Sequence, residues 1–198
     1  MTVEMMGYEH SNLTDLLSPC KIKSTQKGEN VMEKIEIGKP APQFCLPDMN
    51  ENTVCLKDFA GKWVILYFYP KDGTPGCINE AKDFTSYKEK FEKFGAVIIG
   101  VSPDAPKTHR KFAEKHGLSI LLLSDINRKV AKLYDVLKPK KLYGKVRLGI
   151  ERSTFIIDPE GVIVHEWRRV KVKGHVEKVF QKFKEIALAQ FDKSQIVP

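Results

Sequence analysis

Trp63-Val64-Ile65-Leu66-Tyr67-Phe68-Tyr69, running into Pro70-Lys71-Asp72-Gly73-Thr74-Pro75-Gly76-Cys77, decides how this chain folds. The first part is an uninterrupted apolar run of strand length, which reads as a strand buried on both faces. A Pro/Gly loop then breaks it. Beyond Cys77, residues Ile78, Ala81, Phe84, Phe91 and Phe94 fall close to helical spacing, and Gly95 closes the helix. Strand, loop and helix start thus put one thiol on the first turn of a helix. Backbone N–H groups there lack intrahelical partners and carry partial positive charge, which favours the nucleophilic thiolate. The bland alternative is a buried helix-start cysteine. As a mere cap, however, Cys is inferior to Ser, Thr, Asp or Asn.

Outward from this stretch, Ala96-Val97-Ile98-Ile99-Gly100-Val101-Ser102 and Ile120-Leu121-Leu122-Leu123 read as two further buried strands. A helix is expected between them over about 106–116, and a short one beginning at Asp125 and carrying Val130, Ala131 and Leu133. Upstream, Phe44-Cys45-Leu46 and Val54-Cys55-Leu56 alternate around a turn-rich segment and predict a hairpin. A second hairpin is predicted at 154–157 and 162–167 around Asp158-Pro159-Glu160-Gly161. The lysine-rich segment 137–149 reads as a loop. A closing helix over about 175–189 puts Val176, Val179, Phe180, Phe183, Ile186 and Ala187 on one face. The expected class is α/β, a central mixed sheet flanked by helices, with an N-terminal β-hairpin.

The chain has 198 residues, 42% of them hydrophobic and 29% charged, which suits one soluble domain with a full core. Residues 1–31 are polar and aperiodic, ending in Ser24-Thr25-Gln26-Lys27-Gly28-Glu29-Asn30. They read either as a flexible extension or as a leader translated upstream of a true start at Met32, with 32–198 as the folded domain. Apolar runs are too short to span a bilayer. Glu4, Glu9 and Asp15 interrupt any secretory pattern, so the expected location is the cytoplasm, a reducing compartment. The net charge is +8, with basic clusters at Lys138, Lys140, Lys141, Lys145 and Arg147 and again at Arg168, Arg169, Lys171 and Lys173. No nucleic-acid motif accompanies them, so they read as a solvated basic face rather than a nucleic-acid site.

The spacing Pro70-x-x-x-Thr74-x-x-Cys77 resembles the active-site motif of peroxiredoxins. Read whole, Phe68-Tyr69-Pro70-Lys71-Asp72-Gly73-Thr74-Pro75-Gly76-Cys77 is similar to the bacterioferritin comigratory protein (PrxQ) branch of that family. Lys39-Pro40-Ala41-Pro42-Gln43-Phe44, Lys141-Leu142-Tyr143-Gly144-Lys145, Gly149 to Asp158 and Val172-Lys173-Gly174-His175 carry the likeness across roughly residues 34–190. The resemblance implies a thioredoxin-like fold and a thiol-dependent peroxidase acting on hydrogen peroxide and organic hydroperoxides, with no cofactor and no metal. A redox sensor or relay, passing oxidation of Cys77 to a partner, is the alternative.

By that resemblance Cys77 is the nucleophile, oxidised to sulfenic acid as the O–O bond breaks. Thr74 offers a hydroxyl to sulfur or peroxide, and Pro70 shields the thiolate. Arg152 is the guanidinium approaching from a distant strand. Glu80 either orients that arginine or is a first-turn acid favoured by the helix dipole. The departure from the branch is Lys82, where many members carry a resolving cysteine. Even that arrangement requires the helix to unwind. Residues five apart on a helix are about 8.7 Å apart at Cα, beyond the roughly 7 Å a disulfide spans. The predicted helix at 106–116 has no cysteine either. An external reductant is therefore expected: thioredoxin, glutaredoxin or a small thiol, acting on a monomer or homodimer. Cys45 and Cys55 share strand parity and are expected as facing neutral thiols, only weakly a zinc pair. Cys20 lies in the leader. His109 and His116, on a charged helix, are expected to face solvent.

Overall fold

A computed structural model of the chain describes residues 35–142 and 145–194. The expected boundary at Met32, the segment 1–31 and Cys20 lie outside them. β1 (Cys45–Pro47) and β2 (Thr53–Cys55) form the first hairpin, and a 3-10 turn at Leu56–Phe59 leads to β3 (Trp63–Phe68). Two helical crossovers between parallel strands follow: α1 (Pro75–Glu92) leads to β4 (Ala96–Ser102), and α2 (Pro106–His116) leads to β5 (Leu121–Ser124). After α3 (Lys129–Leu133) come β6 (Leu137–Leu142), β7 (Lys145–Ile150), β8 (Ser153–Ile157), β9 (Ile163–Trp167) and α4 (His175–Ser194).

The central sheet runs β5-β4-β3-β8-β9, parallel between β3, β4 and β5 and antiparallel from β3 to β8 and from β8 to β9. β3 sits in its middle, so both of its faces are covered, which is why its sequence never alternates with polar residues. Trp63, Ile65, Tyr67 and Tyr69 face a core made with α1, α2 and α4, where Phe84, Phe91 and Phe183 are fully buried. Each such aromatic contributes roughly 1.5–3 kcal/mol. Val64, Leu66 and Phe68 face the opposite core, shared with Phe44, Leu46, Val130 and Tyr134.

Three sequence expectations are corrected. Segment 137–149 is a two-stranded antiparallel hairpin, β6–β7, instead of a loop. It stands outside the main sheet, and lysine, which charges and protects strand edges, is compatible with that place. The Lys140 stem lies along Gly149, and its Nζ donates to the Ile150 carbonyl at 2.6 Å. Cys45 and Cys55 are joined in a disulfide instead of remaining neutral thiols. Their directly opposed register, the parity seen in the sequence, brings the Cα atoms to 4.0 Å. The third correction concerns His109, which is fully buried although its helix is charged; His116 is half-buried.

Candidate active site

The loop leaving β3 delivers Cys77 as the third residue of α1. Thr74 is the N-cap residue, and Pro75 opens the helix, where its missing N–H costs nothing. The first helical hydrogen bond runs from the Ile78 N–H to the Thr74 carbonyl at 2.9 Å. The N–H groups of Gly76 and Cys77 thus belong to the open first turn beside the sulfur. Cys77 is 1% exposed and is the free cysteine among the described residues.

Arg152 follows β7 and directly precedes β8, and its Nη2 donates to Cys77 Sγ at 3.1 Å. Pairing of β8 with β3 carries it there, 75 residues along the chain from the thiol. Its Nη1 is bonded to Glu80 Oε2, three residues after Cys77 and fully buried. Burial pushes the Glu80 carboxyl up to about 7, with the Arg152 guanidinium pulling the other way. Burial also works against the Arg152 charge. Glu80 and the Cys77 sulfur more than offset it, so the guanidinium is held above its ordinary value. Glu80 sits past the first turn of α1 with its carboxylate on a cation; its setting is that of an ion pair and not of a dipole-favoured surface acid.

Not every residue singled out from the sequence joins this group. The Thr74 hydroxyl donates to the Lys71 carbonyl at 3.3 Å, and no hydrogen bond links it to the sulfur. Pro70 is half-buried at the end of β3. Lys82 lies on α1 and is exposed.

Other groups near the thiol were not anticipated as site residues. The Tyr67 hydroxyl is buried without a hydrogen-bond partner among the described residues. Burial, then Glu80, Asp72 and Cys77, push that phenol well above its usual range. Behind Arg152, Thr154 Oγ1 and His175 Nε2 are 2.8 Å apart. Burial first, then Arg152 and Lys178, push His175 down to about 4, so at neutral pH the ring is uncharged and can accept the Thr154 proton. Both residues lie within the motifs Gly149–Asp158 and Val172–His175. Their side chains carry no spacing signature, so sequence reasoning had nothing to single them out by.

A buried thiol on an open helix N-terminus, with a guanidinium at hydrogen-bond distance, can stabilise a thiolate and offer donors to a small oxygen-bearing substrate. Residues 37–166 match the model of the AhpC/TSA family. The chain belongs to that family. It is 53% identical to peroxiredoxin Bcp of Bacillus subtilis over 153 residues, which is 77% of this chain and 98% of that protein. Solved relatives agree. The bacterioferritin comigratory protein of Xanthomonas campestris, studied for alkyl peroxide reduction, superposes with TM-score 0.71 at 44% identity, covering 73% of this chain and 92% of the other. A cysteine-to-serine mutant of PrxQ from Xylella fastidiosa gives TM-score 0.73 at 39% identity, covering 77% of this chain and 98% of the other. This family member is a peroxiredoxin, a thiol-dependent peroxidase with a thioredoxin-like fold.

Proposed function

We propose that Cys77 is the thiol that reduces hydrogen peroxide and small organic hydroperoxides, with Arg152 binding the peroxide and Glu80 holding Arg152 in place. The thiolate attacks one peroxide oxygen. The O–O bond breaks as the S–O bond forms, and the leaving hydroxide or alkoxide takes up a proton, leaving Cys77 as sulfenic acid. The open N–H groups of Gly76 and Cys77, with the guanidinium, stabilise the charge that develops on the oxygens. Pro70 keeps water from the thiolate, and Thr74 contributes its hydroxyl once substrate draws it from the Lys71 carbonyl. The single observation that carries this reading is the 3.1 Å contact between Arg152 Nη2 and Cys77 Sγ at the start of α1.

Recycling falls to an external thiol. Its sulfur attacks the sulfenic acid and water leaves; a second thiol then breaks the mixed disulfide and restores Cys77. Two facts support this. Lys82 stands where the resemblance to this branch implies a resolving cysteine, and Cys45 and Cys55 are bonded to each other. Their hairpin also packs through Phe44 and Leu46 on the face of the sheet opposite to Cys77. A small thiol or a thioredoxin- or glutaredoxin-like protein fits the reductant role. The test is peroxide consumption by Cys77→Ser, expected at background, and by Arg152→Ala, expected to be slower by a factor of about 100 or more, on the order of 3 kcal/mol of transition-state stabilisation. Full activity in the serine variant would defeat the assignment.

A further inference from the structure

A buried polar network holds the loop before Cys77, and the chemistry at the sulfur does not consume it. Asp72, 8% exposed, accepts the Tyr69 hydroxyl on Oδ1 at 2.7 Å and faces His109 Nδ1 with Oδ2 at 2.8 Å. The Asp72 backbone N–H donates to Asp104 Oδ2 at 2.8 Å, and the Ser102 hydroxyl donates to that same oxygen at 2.8 Å. On its far side the fully buried His109 ring directs Nε2 at the Leu123 carbonyl, 3.3 Å away. The loop is thus tied to the end of β3, to the segment after β4, and through α2 to β5.

Each ring nitrogen of His109 has a partner: Nδ1 faces the Asp72 carboxylate and, at 3.4 Å, the Tyr69 hydroxyl, and Nε2 faces the Leu123 carbonyl. Burying such a pair is a poor way to gain stability, because desolvation offsets most of the attraction. A fully satisfied buried network does fix one geometry. The geometry at stake here is the five-residue step from Asp72 to Cys77. It passes Gly73, at φ +74°, and Pro75, and it sets where Sγ and the first-turn N–H groups stand relative to Arg152. Arg152 is held at its head by Glu80 of α1, and at its backbone, away from α1, by the Val170 N–H, which donates to its carbonyl at 2.9 Å. A shift of the loop would carry the first turn of α1, and Sγ with it, relative to the Arg152 backbone and so open the Sγ–guanidinium gap. Misplacement of about 1 Å is enough to cost a large factor in rate.

We propose that Asp72 and His109 form a positioning pair for the peroxidase. They lock the β3–α1 loop so that Cys77 and the N–H groups beside it meet a peroxide already bound to Arg152, and neither residue touches the substrate. The proposal rests on the reading of Cys77 as the peroxide-reducing thiol.

The test compares two reactions of the same sulfur in the full chain. Single-turnover oxidation by hydrogen peroxide requires the positioned site, whereas alkylation by iodoacetamide requires only a thiolate that can be reached. His109→Leu, Asp72→Asn and the double variant are each expected to slow oxidation at least tenfold. Alkylation should stay within twofold of the parent or rise as the 1%-exposed sulfur is uncovered. The double variant should be no slower than the worse single variant, because the two residues act as a unit. Tyr69→Phe, which removes one hydroxyl and keeps the ring, should lower the oxidation-to-alkylation ratio a few-fold while leaving folding intact. That mild variant carries the test should the buried-pair variants not fold. An unchanged ratio in Tyr69→Phe or in the folded pair variants, or an equal fall of both rates, overturns the positioning role. Failure of the underlying reading looks different: the parent itself would then be alkylated at Cys77 without being oxidised there.

Discussion

At the scale of residues, three groups make up the proposed centre, and only one of them announces itself locally. Cys77 is legible from its loop and helix start. Arg152 is not, because nothing in an arginine before a strand tells that β8 will lie beside β3; only the resemblance of the surrounding motif points to it, and the structure sets its Nη2 3.1 Å from Cys77 Sγ. Glu80 had two even readings in the sequence, which burial separates. Its environment also makes a prediction with a definite sign. A carboxyl raised from 4.5 to about 7 in the folded chain contributes stability that is fully present below pH 4.5 and is lost as pH rises through 7. Glu80→Gln, which resembles the protonated form, removes that dependence. Urea unfolding at pH 5 and pH 8 should show the parent losing stability relative to the glutamine variant as pH rises. A difference that stays constant, or grows in favour of the parent, would contradict the burial argument. His109 shows the limit of pattern reading. A lone histidine among Lys107, Arg110 and Lys111 looks solvated, and only the fold reveals Asp72 opposite it.

Elements built from apolar periodicity were readable, and those held by specific contacts were not. β3, α1, β4, α2 and α4 follow from hydrophobic spacing, with ends shifted by a few residues. The β6–β7 hairpin escaped because lysines and a proline replace the alternation that marks a strand. α3 begins at Lys129 and not at Asp125, which instead accepts the Ala131 N–H at 2.7 Å through its side chain. Gly100 looked like a plain member of a buried strand. It is required there because the Tyr67 ring from β3 lies across it, and a Cβ would stand 2.6 Å from the phenol oxygen. Gly100→Ala should therefore destabilise the protein by about 1–3 kcal/mol, measured by urea unfolding. It should also disturb the thiol's surroundings more than its distance along the chain implies. The first hairpin behaves differently. Replacing Cys45 and Cys55 together by serine should cost roughly 2–3 kcal/mol under oxidising conditions, the loop-closure value for a short loop such as their ten-residue separation. Peroxide turnover should be unaffected, since the hairpin packs on the other face of the sheet. A matching loss of turnover would show the disulfide to be part of the redox cycle.

The molecule as a whole separates its duties across one sheet. One face carries α1, α2 and α4 with the thiol, and the other carries the first hairpin, α3 and the Tyr134 cluster. The charge of +8 is spread over surface lysines and arginines, several of them in local pairs such as Lys138 with Asp135 and Arg168 with Glu166. No helix among the described residues is long and apolar enough to cross a membrane. Within this layout Cys77 has no thiol partner among the described residues, so its oxidised form should await a reductant from outside and be open to further oxidation by a second peroxide. The decisive measurement treats the full chain with one equivalent of hydrogen peroxide, in parallel with a sulfenic-acid trapping dione and with a thiol-blocking reagent, and maps the products by mass spectrometry. The dione adduct on Cys77 is expected as the main product, with the Cys45–Cys55 bridge unchanged. A dominant disulfide from Cys77 to Cys20, Cys45 or Cys55 would contradict it.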